Sequence, residues 1–405
     1  MSARSAKRKR QVAADTFQQP NAVHPSTNPQ SFQEEQDFLD QVGELFEERK
    51  PDFSKTVNIA LLGKVSSGKS SLLNAILMRE RDNPAAQVGA TSGVTTKLKC
   101  FRLDGDDHVL IIDSPGLDDV VAENSQETAR ILHHIDLGIL VVTGSADASQ
   151  KSHYDQLCHH AKKVFVVLNK IDEWDHLEQG AVDEVVKQWE SVLGTKHIYR
   201  VCTKGYDPKA RKDVPLELKG VEQLREDMLS FLAKERKDLL FARHLGDKRP
   251  YAVGIIAAAL ASVAGEAFIP GSAAYITATQ AITITALYYL HTGRILSKSS
   301  ALAALPSLAA KNVGMHLFLW AKSFLPPTGI VDAAAAAVAV LVTLAILVTV
   351  NSVFTMGADL HERELLKEKY GETDQRIKNL FTGVTLTKLS DPNFRRQMVY
   401  KVMFS

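Results

Sequence analysis
The sequence predicts two folds in series: an α/β domain, a mostly parallel sheet with helices on both faces, and behind it an all-α, apolar C-terminal domain. Three observations predict this. The stretch Asn58–Leu77, "NIALLGKVSSGKSSLLNAIL", runs from strand-formers through a small-residue loop into a helix. Two later apolar runs, "HVLIID" and "VFVVL", each lead into a polar four-residue signature, as strands do when their carboxyl ends carry a site. From Tyr251 the composition turns apolar, with Glu266 the one charge in Ala252–Ile269.

The first corner reads as a phosphate cradle. Gly63, Gly68, Lys69 and Ser70 fit G-x-x-x-x-G-K-[ST]. Asn58–Leu62 reads as a buried strand, and Ser70–Leu77 has helical spacing with Leu72, Leu73 and Ile76 on one side. Glycines let the backbone curl so that successive N–H groups face phosphate oxygens, and the helix N-terminus adds partial positive charge. Lys64, Val65, Ser66 and Ser67 inside the loop, and Ser71 after it, belong to the same expected contact set. Lys69 is expected to reach the β- and γ-phosphates, and the Ser70 hydroxyl to ligate Mg²⁺. The bland alternative, a strand–turn–helix that happens to be rich in small residues, has to explain strand, loop, Lys-Ser pair and helix together.

Three more motifs follow in order: D-x-x-G at Asp113 and Gly116, N-K-x-D at Asn169, Lys170 and Asp172, and "CTK" at Cys202, Thr203 and Lys204. Singly these are cheap patterns; at strand ends and in sequence they are specific. On them, residues from about Thr56 to Lys234 resemble the P-loop GTPases of the class that includes Era, TrmE and the dynamins, of which "SGKSSLLNAI" is typical. The resemblance implies that Asp113 holds Mg²⁺ through water and that the Gly116 amide touches the γ-phosphate. It implies that Asp172 accepts two hydrogen bonds from guanine while Asn169 and Lys170 brace the loop and cover the base. Cys202, Thr203 and Lys204 back the base, with Cys202 standing where Ser is usual. Adenine offers an acceptor where guanine offers N1–H, so Asp172 should favour GTP or GDP over ATP. A desolvated mismatch costs on the order of a few kcal/mol.

Two departures from the family pattern bear on the reaction. Leu117 follows Gly116 where Ras-like proteins carry a water-orienting Gln, so slow intrinsic hydrolysis is expected. Ser66 stands where TrmE-like members that recruit potassium carry Asn and dynamin-like members carry Ser. That favours activation by self-association, a homodimer through the GTPase domain. The first switch is placed within Gln87–Phe101, where Thr95 or Thr96 completes the Mg²⁺ shell and Thr91 is a weaker candidate; loop filler is the alternative for each. Lys69, Ser66 and Thr95 are thus the residues expected at the reaction itself.

At 405 residues the chain exceeds one typical domain. The expected division is a disordered basic arm over 1–31, an amphipathic helix leading in over 32–55, the GTPase domain over 56–235 and a helical connector over 236–250. The apolar helices then occupy 251–357 and a charged tail 358–405. The segment from Val221 to about Arg249 reads as one charged amphipathic helix running on as the connector, and Gly205–Gly220 as a basic surface loop. A net charge of +1 argues against nucleic acid as a general partner, although Arg4, Lys7, Arg8, Lys9 and Arg10 are concentrated in the arm. Cys100, Cys158 and Cys202 lack metal spacing and are expected to be buried reduced thiols. The polar N-terminus has no apolar core up to Phe32, so the GTPase half is expected in a reducing, GTP-containing compartment.

Two readings of the apolar third stand. Lys248 and Arg249 before it, Pro270-Gly271 within it, and Arg294 and Lys298 after it suit a membrane hairpin with both ends on one side. Val331–Met356, a helix of ~40 Å, exceeds a hydrocarbon core of ~30 Å. Against this, the alanines, Glu266, Gln280 and the Thr-rich second helix suit a soluble bundle. The segment resembles the C-terminal domain of YcjF-related bacterial proteins at Pro270 and Gln280, with Phe268 replacing the first Pro of the break. That family is membrane-associated, and the resemblance implies location more than task. The expectation is therefore a GTP-hydrolysing switch held at a membrane, its GTPase domain on the cytosolic side. The alternatives are a soluble cytoplasmic ribosome- or RNA-assembly GTPase, and a dynamin-like remodeller.

Overall fold
The computed structural model describes residues 29–85, 99–114, 134–178, 180–206, 211, 213, 215–269, 271–309 and 333–404. The expectations for most of the basic arm, Thr91, Thr95, Thr96, Gly116, Leu117, Pro270 and the 310–332 stretch lie outside those residues.

The chain opens with helix α1 (Pro29–Arg49), beginning three residues before the predicted Phe32, and enters the sheet at β1 (Val57–Leu62). There follow α2 (Lys69–Ile76), β2 (Lys99–Arg102), β3 (Val109–Ser114), β4 (Ile135–Val142), α3 (Ser149–His160) and β5 (Ala161–Leu168). Helix α4 (Ala181–Leu193) and β6 (Ile198–Arg200) complete a six-stranded sheet of order β2-β3-β1-β4-β5-β6. Only β2 is antiparallel, pairing with β3; the others run parallel.

Alternation along the strands divides the core. Ile59, Leu61, Ile111, Leu137 and Ile139 face one side, where Leu72, Ile76, Leu224, Met228 and Leu232 pack. Ala60, Leu62, Ile112, Leu140 and Val166 face the other, against Leu157, Val186, Trp189 and Leu193. With period 2 along each strand and helices covering both faces, this is the predicted α/β layering.

A hairpin, β7 (Cys202–Lys204) with β8 (Glu217–Lys219), replaces part of the expected basic loop. The predicted single charged helix is also broken. Helix α5 (Val221–Lys234) stops, Arg236 adopts φ 57°, and a short α6 (Asp238–Ala242) follows. Lys237 turns back at the break to bind the buried Asp136 carboxylate at 2.7 and 2.8 Å. An ion pair buried at the start of the central strand β4 thus outweighs the continuous helical pattern.

The last part is all-helical: α7 (Arg249–Glu266), α8 (Ser272–Thr292), α9 (Lys298–Ala309), α10 (Ala333–Thr355), α11 (Arg363–Phe381), α12 (Leu386–Leu389) and α13 (Pro392–Phe404). Helices α7, α8 and α10 pack on one another, α11 lies against α10, and α13 against α7. Helix α1 joins this half rather than the sheet, burying Phe38, Val42, Leu45 and Phe46 against α8. Arg49 at its end donates to Glu266 at 2.8 Å. The α/β domain is therefore inserted between the first helix of the helical half and the rest of it.

Helix α10 is the one described helix long and apolar enough to cross a membrane, and 67% of its most apolar window is buried against neighbours. Helix α8, the second arm of the expected hairpin, is buried from Ile276 through Ala281 and again from Thr283 through Leu290. Among the described residues, the apolar faces of these helices are thus spent largely on each other.

Two of the three cysteines also depart from expectation. Cys100 and Cys158 are exposed, and Cys202 alone is buried. Cys100 sits on β2, an edge strand, and Cys158 in the last turn of α3 on its solvent side.

Candidate nucleotide site
The loop between β1 and α2 is fixed by two glycines that nothing larger could replace. Gly63 has φ 145°, and a Cβ there would lie 2.2 Å from the Val141 carbonyl oxygen. Gly68, at φ 89°, immediately precedes α2, and a Cβ there would lie 2.3 Å from Asn169 Nδ2. Between them Ser66 takes the left-handed region at φ 67°, uncommon for a residue with a side chain. Lys64, Val65 and Ser66 are exposed on the outer rim, and Ser67 is buried beneath.

Lys69 is buried, and its ammonium donates to the carbonyl oxygens of Gly63 at 2.8 Å and Lys64 at 3.2 Å. Asp113 Oδ1, at the end of β3, lies 4.0 Å from it. Burial pulls the Lys69 pKa down and the Asp113 carboxylate partly offsets this. The cation is thus held inside the loop by neutral carbonyls that an anionic ligand can outbid. Ser70, half-buried in the first turn of α2, stands beside it. A backbone cradle that any Cβ would fill, a buried cation and the hard oxygen donors of Ser70 and Asp113 fit a nucleoside polyphosphate with Mg²⁺.

The second half of the site comes from β5 and β7. Asn169 is fully buried, donates to the Ser67 carbonyl oxygen at 3.0 Å and accepts from Thr203 Oγ1 at 3.2 Å. Lys170 turns the chain at φ 62°, which sets Asp172 on the short 3-10 turn Ile171–Trp174. Cys202 donates its thiol to the Glu217 carbonyl oxygen at 3.1 Å, and burial, with Asp172 nearby, pushes its pKa up to about 11. Lys204 points outward and pairs with Glu217 at 3.4 Å. The structure thus brings the cradle, the N-K-x-D loop and the "CTK" strand into one site. Ser71 differs: its hydroxyl donates to the Tyr206 carbonyl at 3.2 Å, so its side chain serves the interior.

Sequence reasoning missed one contact. The Lys64 ammonium is paired with Asp147, whose carboxyl this hydrogen bond, with support from the Ser149 amide, pulls down to about 2. Asp147 also accepts from Ser149 N at 2.8 Å at the start of α3. The Asp-x-Ser spacing was the available signal, a turn pattern opening a helix.

A parallel sheet with a glycine cradle at the end of β1 defines a P-loop nucleotide-binding protein. Residues 58–170 match the family described as 50S ribosome-binding GTPase. The tRNA modification GTPase MnmE of Halorhodospira halophila is 25% identical over 199 residues, 47% of this chain and 38% of that protein. GTPase Der of Nautilia profundicola is 31% identical over 144 residues, 32% of this chain and 30% of that protein. This chain spans about a third of the length of these relatives. A solved structure of a probable GTP-binding protein engB covers 44% of this chain and 100% of its own at 16% identity, with a TM-score of 0.30, too low to add to the strand order. The chain carries a P-loop GTPase domain, followed by a helical region.

Proposed function
We propose that the protein binds GTP, hydrolyses it to GDP and phosphate, and uses the helical half as the receiver of the change. The observation that carries this is the Lys69 ammonium, buried in a glycine cradle between the Gly63 carbonyl and Asp113. An arriving triphosphate draws that ammonium off the Gly63 and Lys64 carbonyls and onto its β- and γ-oxygens. Mg²⁺ would be held by the Ser70 hydroxyl, by Asp113 through water and by Thr95 or Thr96, and would supply charge neutralisation between the phosphates; the Gly116 amide would meet the γ-phosphate. Asp172 reads guanine while Cys202, Thr203 and Lys204 back it. With Leu117 in place of a water-orienting Gln the unaided rate is slow, and Ser66 on the exposed rim fits activation by a second copy.

Of the two settings, the soluble one has more behind it. The apolar helices α8 and α10 bury their surfaces on one another, and the matching family is described by its ribosome binding. An RNA- or ribosome-linked GTPase with a helical bundle is the favoured reading; membrane attachment through α10 is the second. Purified protein should release phosphate from GTP in a Mg²⁺-dependent way, with ATP a poor competitor. Equal retention of ATP and GTP would remove the reading. A carbonate wash of cell membranes decides the setting: protein left in the pellet favours attachment.

A further inference from the structure
Two elements run away from the nucleotide site, each starting or ending on a residue of the site. Helix α2 begins at Lys69 and β3 ends near Asp113. Their far ends, about 12 Å down α2 and about 20 Å down β3, are both gripped by one stretch, Arg243–Gly246, which leads into the helical half.

The grip on β3 is made at the turn that joins it to β2. Leu103–Gly105 forms a 3-10 turn with Asp104 at φ 53°, and Asp106 follows. His244 reaches both acids, Nδ1 to Asp104 Oδ2 at 2.8 Å and Nε2 to Asp106 Oδ2 at 3.1 Å. Arg243 pairs with Asp106, and Arg79, just past α2, pairs with Asp104. The His244 and Asp106 side chains are only 2% and 6% exposed, so their contact is not the weak surface kind, whereas Asp104 is 40% exposed. The grip on α2 is made beside it. Gly246 N donates to the Leu77 carbonyl at 2.7 Å, and a Cβ on Gly246 would lie 2.1 Å from the Met78 oxygen.

The same stretch is seated in the helical half. The Arg243 guanidinium lies 5.6 Å from the ring centroid of Tyr289 on α8. Gly293, at the end of α8 with φ 71°, leaves the room: a Cβ there would stand 2.2 Å from that guanidinium. A nucleotide acts by charge on Lys69 and Asp113, and β3 is locked by register to its neighbours, Asp113 opposite Leu61 on β1 and Lys99 on β2. The strand so held connects Asp113 at the site to the turn that carries Asp104 and Asp106.

We propose that the turn Leu103–Asp106 passes the nucleotide state to the helical half through His244 and Arg243, positioning residues that act on the site through β3. This rests on the GTPase reading above. Linkage makes it reciprocal: what the helical half does at His244 changes the relative affinity for the two nucleotides by the same factor.

The test compares GDP with a non-hydrolysable GTP analogue on the full chain, by affinity and by amide hydrogen exchange over Arg243–Glu266. Wild type should exchange at rates differing about fivefold or more between the two states. His244→Ala and Gly293→Ala should erase that difference and shift the analogue-to-GDP affinity ratio by about fivefold, and His244→Gln, which keeps a donor, should restore part of it. Gly293→Ala removes no charged group but pushes the Arg243 guanidinium from its seat, and it carries the test if His244→Ala does not fold. Identical exchange in both states of wild type, or an unchanged difference in the variants, overturns the coupling alone. Wild type that binds neither nucleotide overturns the GTPase reading and the coupling with it.

Discussion

The Asn169 side chain donates to the backbone carbonyl of Ser67 at 3.0 Å, tying the loop that ends β5 to the underside of the phosphate cradle. The same amide accepts from Thr203 at 3.2 Å, so one buried residue spans three chain segments of the site. Its shape is what lets Gly68 lack a Cβ to advantage, since the two would collide.

Asn169→Ala leaves the Ser67 carbonyl and the Thr203 hydroxyl without this partner in a dry environment. Each orphan costs about 1–3 kcal/mol. Guanine nucleotide affinity is expected to fall by about tenfold or more, and the melting temperature with it. Titration with a fluorescent GDP analogue reads the first and a thermal melt the second. Unchanged affinity would mean that the brace does not shape the cradle.

Asp172→Asn keeps one acceptor for the N1–H of guanine but replaces the other by a donor where guanine offers its 2-amino group. GTP affinity should drop by about a hundredfold or more, while a xanthine nucleotide, which presents an acceptor at the matching edge, should gain. Competition assays with GTP, ATP and xanthosine triphosphate report the three at once. If GTP binding survives intact, base selection lies elsewhere.

Much of the site was legible in the sequence because its information is local. Gly63, Gly68, Lys69 and Ser70 lie within eight residues, and the glycine spacing encodes the turn directly. The apolar runs before Asp113 and Asn169 likewise announce buried parallel strands. The partner of α1 was not legible: Phe38, Val42, Leu45 and Phe46 say that a face must be covered but not by what. Nor was the break at Arg236, since a residue forced into positive φ carries no compositional mark. Cys100 looked buried from its apolar neighbours, yet strand order places β2 at an edge. Leu341–Val353 reads the same whether lipid or α8 covers it, and nothing in its composition names α8 as a neighbour on which it packs.

Cys202 is expected to be the unreactive thiol of the three. Burial first, then Asp172 beside it, hold it as a thiol up to about 11, so at pH 8 about one molecule in a thousand carries the thiolate. Cys100 and Cys158 are exposed. A native thiol titration at pH 8 should count two fast groups, with the third appearing only on unfolding. The protonated form is the one that the fold favours, so this site's contribution to stability falls as pH rises past 9.0 toward 11. Three equally fast thiols would contradict the buried placement of β7.

Glu266 gives the helical half a pH dependence of the opposite kind from a surface acid. It is buried, accepts from Thr279 at 2.9 and 3.0 Å and from Arg49 at 2.8 Å, and burial still pushes its pKa above 4.5. A folded-state pKa above the unfolded one means that the fold binds the proton more tightly. The stabilising contribution is therefore complete below pH 4.5 and is lost as pH rises through the folded value. Glu266→Gln keeps an oxygen for Thr279 and Arg49 and removes the ionisation. The variant should match or exceed wild type in melting temperature at pH 7, with the gap narrowing as pH falls toward 4.5. Arg49 is 39% exposed and can be solvated when the carboxylate is gone, so the substitution strands no buried charge. Thermal melts of both proteins across that range decide it. Parallel pH profiles would show that Arg49 and Thr279 already compensate the buried charge in full.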